Sequence, residues 1–574
     1  MACISWKEKG VDEKKVAELE RAGCAKLAAR VLAIRGVSPS GLRRFLDPSI
    51  KLDFPPPESL PGVSVAAARI FSEIEDGGKI AVFGDYDCDG ICATAILCRA
   101  ILACGGNAVP FIPRRLEEGY GMTDASVGRL FEAHPDVKLV VTVDNGVNSV
   151  EMVGRLAARG VDMIVTDHHL PGATLPRCTV VNPKVASGEG EEWLCAAGVA
   201  LLVANAVAKL ARAAGRDTGS ISAPLFVLAG IATVTDLMPL TGLNRLLVVE
   251  ALRLFERHAP PGLKELFERA ARTGTARLAA RDFGFVIGPR INASGRMGSA
   301  MDAYSLVSED EREAAREWAR KVDMANVERR SVESAMTEEA MSKIEPGAAA
   351  QTIDLAGAHT GVAGIVASRV MDRLADSAAD ATGAVPVCIV VDGRGSARAP
   401  YGYNVRDALE GCGDFLERCG GHAAAAGFTV KPGCLEGFKR RFAAECAAQK
   451  AALPAESREK PVIDAWISWN ECTLGLAQEM ERFAPFGEGN EEPVFAIRRT
   501  MISSARRFGS DSQHLQLSFA GGARPRAVWW NAGAKALDLH SAASVPHDIM
   551  FNLVVSEYGS KHVELKIVDI RKSL

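Results

Sequence analysis

The sequence predicts an α/β protein built on a doubly wound parallel sheet, joined by a long helix to a second α/β domain and a small β-barrel. Three observations carry this. Between about residues 79 and 182, short apolar runs rich in β-branched residues alternate with helical patterns: KIAVFGD, NAVPFIP, KLVVTVDNG, VDMIVTDHH and CTVVNP. Runs of this kind mark parallel strands buried on both faces, with the helices as crossovers. From Glu309 to Ile344 the chain is charged, with a thin apolar stripe of Trp318 and Val322, then Val332, Met336 and Ala340, until EPG stops it at Glu345. After ALPAESREKP the texture changes to short alternating strands, HLQLSFAG, RAVWWN and IMFNLVVSEYG, as in a small barrel.

In chain order, residues 1–60 read as a helical N-terminal extension closed by the prolines of LDFPPPESLPG. Residues 61–308 hold the parallel sheet and a helical region that includes APLFVLAGIATVTDLMPL. Residues 309–345 form the connecting helix, 346–452 the second α/β domain and 453–574 the barrel. A chain of 574 residues is too long for one core. Its 48% hydrophobic and 24% charged residues are those of a soluble globular protein, and no apolar run approaches the roughly 20 residues of a membrane span. The N-terminus is polar and lacks the apolar stretch of a secretory signal. Fourteen cysteines without a C-x-x-C pair indicate neither a zinc ribbon nor a disulfide framework. Reduced thiols in a cytoplasmic monomer, with no membrane partner, are therefore expected. A formal charge of −4 leaves any basic surface to be local.

Ligands of open parallel sheets bind beyond the carboxyl ends of the strands. Here those ends collect Asp85, Asp87 and Asp89 after the first strand, Asp144 after VVTV, and Asp167, His168 and His169 after MIVT. A further apolar segment, LAGIATVTD, delivers Asp236. Singly each has an ordinary reading as a turn, a helix cap or an incidental pair. Jointly, so many carboxylates on one crevice require cations, and the added imidazoles suit Mn²⁺, with Mg²⁺ where oxygen ligands dominate.

DYDCDG, VDNG, TDHH and VTDLMPL, in that order, resemble the four motifs of the DHH phosphoesterase superfamily. GPRINASGRMGSA, GIVASR, GSAR, GGHAAAAGF and PFGEGNEEPVF are similar to segments of its RecJ branch, so the resemblance runs over nearly the whole chain. It implies a single-stranded-DNA-specific 5′→3′ exonuclease of DNA repair and recombination, releasing mononucleotides by two-metal hydrolysis. It also implies a DHH-associated second domain and an OB-fold-like barrel. Two Mn²⁺ or Mg²⁺ ions would be held, one by Asp87 and Asp144, the other by Asp89, Asp144, His168 and Asp236, with Asp144 bridging. In the catalytic machinery, His169 would contact the scissile phosphate, and Asp85, like Asp167, would support the ligands from behind. Gly90 would let the chain turn into the next helix, whose N-terminus favours phosphate. Many relatives carry a histidine four residues before the first ligating aspartate; this chain has Phe83, which implies a ligand difference at one ion.

The same resemblance offers Arg115, Arg290, Asn292, Arg296, Ser396 and Arg398 for a terminal 5′-phosphate, with His422 near the metals. The family's G-S-x-R-S appears here as GSARA, with Ala399 in place of the last serine. On the barrel, Phe508, Trp529 and Trp530 are available for base stacking beside Arg498, Arg499, Arg506 and Arg507. Trp529 and Trp530 point to opposite faces of a strand, so one belongs to the core. Helicases and a single-strand-binding protein are the partners that the resemblance implies. Two other readings remain: a phosphodiesterase of short oligonucleotides or cyclic dinucleotides, and a non-catalytic scaffold.

Overall fold

The computed structural model describes residues 6–119, 121–186, 194–219, 222–270, 278–377, 384–452, 461–509, 511–522, 524–535, 545–556 and 561–573. The apolar runs form the expected parallel sheet: β1 (Lys79–Phe83), β2 (Asn107–Phe111), β3 (Val137–Val143), β4 (Asp162–Thr166) and β5 (Thr179–Val181), in the order β2-β1-β3-β4-β5. The central strands are buried on both faces because helices cover both. β2 is an edge strand, which is why it tolerates Pro110. Chain direction across the sheet reverses between β1 and β3, the switch point at which such folds open a crevice.

One face packs against the helices Val63–Glu75, Cys88–Ala103, Ala196–Ala213 and Ser222–Thr235; the other meets Asp124–Ala133 and Val150–Ala158. Ala196–Ala213 is apolar enough over its 18 residues to cross a membrane, but it is 72% buried within this core. The connecting helix runs Arg312–Ser342, with Val322, Met336 and Ala340 buried. The second domain holds β6 (Gln351–Asp354), β7 (Val387–Val391), β8 (Arg394–Arg398), β9 (Leu416–Gly421) and β10 (Ala425–Val430), ordered β9-β10-β8-β7-β6. The last domain is a seven-stranded, mostly antiparallel sheet over Ala465–Lys572. The start expected for it at 453 falls in 453–460, outside the described residues.

The N-terminal region, expected to be a helical extension, holds helices that pack into the last domain. Its helices Glu13–Arg21 and Lys26–Ile34 put Leu19, Val31 and Leu32 into the same core as Phe495, Leu515 and Phe551 of the last domain. Lys7–Glu8 also pairs in parallel with Val462–Ile463. The tie continues into the catalytic region through buried Arg245, which donates to the carbonyls of Phe45, Phe483, Ala484 and Pro485.

Trp529 is buried in that core, whereas Trp530 is 50% exposed. Trp530 lies 5.8 Å from Phe508 and 4.6 Å from His514, ring centre to ring centre, so the exposed aromatic surface includes a histidine that the sequence reading left out.

Candidate metal centre

β1 ends at Phe83, and the chain then supplies three carboxylates by three devices. Asp85 stands before the helix Cys88–Ala103; Asp87 is its N-cap, accepting the Gly90 amide at 3.0 Å; Asp89 lies in its first turn. The expected sharp turn at Gly90 is replaced by close packing inside the helix: a Cβ there would sit 2.7 Å from Asp85. At the N-terminus of this helix, Cys88 N–H donates to Asn292 Oδ1 at 2.7 Å and Gly90 N–H to Asp87. Asp89 is held at the start of the helix Ala196–Ala213, accepting N–H from Ala196 at 2.7 Å and Ala197 at 2.8 Å. Nothing in the local sequence there announces that role.

Asp144 follows β3 with φ at +63°, a left-handed conformation that non-glycine residues hold at a cost and that clusters at functional sites. Asp236 arrives from the end of the helix Ser222–Thr235, within the region expected to be helical. Among the described residues three donor sets result, of which two share no residue. Asp85, Asp87 and Asp144 bring ligand oxygens within 4.8 Å of one another, and Asp89, His168 and Asp236 bring oxygens and a ring nitrogen equally close; Asp144, His168 and His169 form the third. Asp144 links the first two, with Oδ1 3.1 Å from His168 Nε2, and His168 Nδ1 lies 3.6 Å from Asp236 Oδ2. Asp167 accepts N–H from Val147 and His168 and lies 2.8 Å from His169 Nδ1, so it orients its neighbours. Lys184, just past β5, is within electrostatic reach of Asp236 and Asp167 and went unnoticed in the sequence, although its place at a strand end was a usable signal.

The electrostatics fit cations. Burial first, and then the neighbouring carboxylates, push Asp85 and Asp236 up to about 8, Asp89 to about 7 and Asp144 well above the usual range. Burial, and then His169, push His168 down to about 3, leaving a neutral imidazole suited to a metal. Burial opposes the charge on His169, but its bond to Asp167 and the nearby carboxylates raise it instead. Asp85 Oδ1, Asp144 Oδ1, Asp236 Oδ2 and His168 Nδ1 are buried without a hydrogen-bond partner among the described residues. Most buried polar atoms of folded proteins find a partner, so four unpartnered donor atoms gathered at one site suit divalent ions. The donors are oxygen-rich with imidazole, as Mn²⁺ and Mg²⁺ accept.

These raised values make the metal-free fold pH-sensitive. The folded state holds protons that the unfolded chain loses near pH 4, so stability falls as pH rises through about 7 to 8. The melting temperature of the chelator-treated protein is therefore expected to drop between pH 6 and pH 8.5. Saturating Mn²⁺ is expected to restore about 5 °C or more at the higher pH and less at the lower. Differential scanning fluorimetry across both pH values checks this; an equal effect at both would contradict it.

Asp85, expected in a supporting role, brings a carboxylate oxygen within 4.8 Å of those of Asp87 and Asp144, as a ligand would. Phe83, at the position where many relatives have histidine, is fully buried with its ring 5.1 Å from Phe111. Asp85 lies two residues further on, in the same donor set as Asp87. Asp85→Asn is accordingly expected to lower activity about 10- to 100-fold and to weaken one of two Mn²⁺ sites in calorimetry. Unchanged affinity at both sites would return it to a supporting role.

Of the residues expected at the terminal phosphate, three converge. Arg115 lies 4.8 Å over the Tyr86 ring; burial, and then the charge of Arg115, lower Arg296 to about 10 and also lower Arg398. Arg398 lies against Gly364 at the start of the helix Ala363–Ser377, where a Cβ would come 2.6 Å from a guanidinium nitrogen. Repelling guanidiniums in a partly buried pocket call for an anion. Two others are engaged elsewhere. Asn292 holds the Cys88 amide, and Arg290 pairs with Asp323 at 2.9 Å and the Val286 carbonyl. Gly295, in the same helix, lets it approach: a Cβ there would meet the Tyr86 carbonyl at 2.6 Å. The RINASGR segment thus braces the DYDCDG loop as well as supplying Arg296. Ser396 is half-buried on β8, and His422 is exposed on the hairpin between β9 and β10.

Comparison with known proteins gives matches to the DHH family N-terminal domain over residues 79–231, the DHHA1 domain over 347–448 and the RecJ OB domain over 463–569. The chain is 34% identical over 530 residues to the single-stranded-DNA-specific exonuclease RecJ of Thermus thermophilus, covering 91% of this chain and 73% of that protein. It is 31% identical to the Salmonella typhimurium RecJ, covering 95% of both. The crystal structure of Thermus thermophilus RecJ in complex with Mn²⁺ superposes with a TM-score of 0.83 at 30% identity, covering 100% of this chain and 80% of that one. The same protein in complex with Mg²⁺ gives 0.77 at 28% identity, covering 99% and 78%. Sustained over nearly the full length, through three matched domains, this likeness means that the chain belongs to the RecJ family of DHH proteins.

Proposed function

We propose that this chain is a single-stranded-DNA-specific exonuclease that degrades from the 5′ end and releases mononucleotides, in the service of DNA repair and recombination. The observation that carries the reading is the pair of donor sets joined through Asp144, with the arginines beside it. Its relatives are named single-stranded-DNA-specific exonucleases, and their structures hold Mn²⁺ or Mg²⁺.

Asp85, Asp87 and Asp144 would hold one ion, and Asp89, His168, Asp236 and Asp144 the other. Bound there, two divalent ions supply Lewis-acid stabilisation of charge developing on phosphate and an acidified water. The chain's own residues do the rest. The Ala196 and Ala197 amides fix Asp89, and Asp167 fixes the ring of His169 through Nδ1. His169, whose protonated form that contact favours, would donate to a non-bridging oxygen of the scissile phosphate from the open side of the crevice. Arg115, Arg296 and Arg398 would grip the terminal 5′-phosphate and so set polarity. The last domain would follow the strand further on, with Trp530 and Phe508 as stacking surfaces and Arg506 and Arg507 near the backbone phosphates. Helicases and a single-strand-binding protein fit such an enzyme as partners.

The test is release of mononucleotide from single strands labelled at either end, with Mn²⁺. The reading expects loss of the 5′ label first and little action on a blunt duplex. Faster turnover of a dinucleotide than of a long strand would favour the phosphodiesterase alternative, and no release would favour the scaffold.

A further inference from the structure

The metal centre is closed on most sides. Asp85, Asp89, Asp144, Asp167 and His168 are all 5% exposed or less. The side chains of Asp236 and His169 are 26% and 39% exposed and Asp87 is half-buried, so the crevice opens past these three. Asp236 and His169 are each followed directly by a leucine that lies in water: Leu237 is 74% exposed and Leu170 59%.

Leu237 is also held in an unusual backbone conformation. The helix Ser222–Thr235 ends in a Schellman motif, with Met238 N–H donating to the Thr233 carbonyl at 3.0 Å and Leu237 N–H to that of Val234 at 3.2 Å. This puts Leu237 at φ +54°, a position that glycine fills without strain and a leucine occupies only against steric resistance. The loop is then fixed beyond it, where Leu240 N–H donates to the Glu488 carbonyl at 2.7 Å. A strained backbone residue whose side chain gains so little burial in the fold has its payoff elsewhere. Leu170 is pinned likewise: its carbonyl accepts from Asn148 Nδ2 at 3.3 Å, while Gly172 N–H donates to Asn148 Oδ1.

We infer that Leu237, with Leu170 beside His169, forms an apolar lip that holds the nucleobase of the 5′-terminal nucleotide while its phosphodiester is cleaved. The inference rests on the exonuclease reading. An apolar contact made by aliphatic side chains accepts any base, which suits an enzyme that must degrade every sequence. Polar groups would select among bases and leave themselves unpaired with the wrong one.

The test compares kcat/KM on a 5′-phosphorylated single strand with that on the same strand carrying an abasic first nucleotide. The unmodified protein is expected to prefer the normal end about tenfold. Leu237→Asn keeps a residue that tolerates the left-handed conformation but removes the apolar surface. It is expected to slow the normal strand about tenfold and to leave the abasic strand unchanged, so that the preference disappears. Its melting temperature, and that of Leu237→Gly, should be no lower than the parent's. Equal slowing of both strands, or a melting temperature reduced in both variants, would show a structural leucine and overturn the inference. Unchanged rates on both strands would also overturn it and leave the lip to a protein partner. No degradation of either strand by the unmodified protein would instead sink the exonuclease reading, and the lip with it.

Discussion

Replacing Asp144 by asparagine is expected to abolish exonuclease activity by about 10³-fold or more while raising the stability of the metal-free protein. Both effects follow from its place. Asp144 is the group through which the two donor sets touch, and an amide in its position cannot share negative charge between two cations. Losing several kcal/mol of charge stabilisation at the reacting phosphate costs a factor of ten for each ~1.4 kcal/mol. Without metal the balance reverses. Asp144 is buried among Asp87, Asp89, Asp85 and Asp236, and ionising it there is unfavourable. A neutral amide escapes that repulsion, so the melting temperature of the chelated variant should exceed that of the chelated parent at pH 8 and match it more closely at pH 5. Single-turnover assays on a labelled strand and paired melting curves check both halves. Activity within tenfold of the parent would remove Asp144 from the bridge.

The second large effect is expected at Arg398. Arg398→Ala should lower kcat/KM on a 5′-phosphorylated strand about 10- to 100-fold, as expected for one charge-assisted contact to phosphate. On a 5′-hydroxyl strand the same variant should lose little, because the contact it removes is absent from that substrate. Arg398→Lys should recover only part of the loss, since an ammonium keeps the charge but not the fork. The pocket predicts this pattern because Arg398 is wedged against Gly364 and shares its surroundings with Arg115. Equal losses on both substrates would mean that Arg398 supports the fold of the second domain instead.

Much of the site was legible before any coordinates. The donor types are set by chemistry, and their strand-end positions follow from the period and β-branched content of the preceding runs. The long charged helix was legible for the same reason, as was the alternation that sends one of Trp529 and Trp530 to the core; that it is Trp529 was decided by the packing. Asp85 was not. Asp85, Asp87 and Asp89 are equivalent in sequence, and only the packing of Gly90 onto Asp85, with the capping by Asp87, decides which way each carboxylate turns.

The sequence by itself determined the fold class, the order of the domains, the ligand types and the family, because these rest on periodicity and on motifs read within a few residues. Tertiary structure decided how the parts are employed. Asn292, 204 positions from Cys88, became a brace for the acidic loop; Arg290 went to Asp323; and the amides of Ala196 and Ala197 took up Asp89. It also built the N-terminal helices into the core of a domain more than 400 residues away. Such assignments depend on which surfaces meet after burial, and hydrogen-bonding groups are allotted to whatever partner that burial leaves nearest. No local pattern encodes that choice.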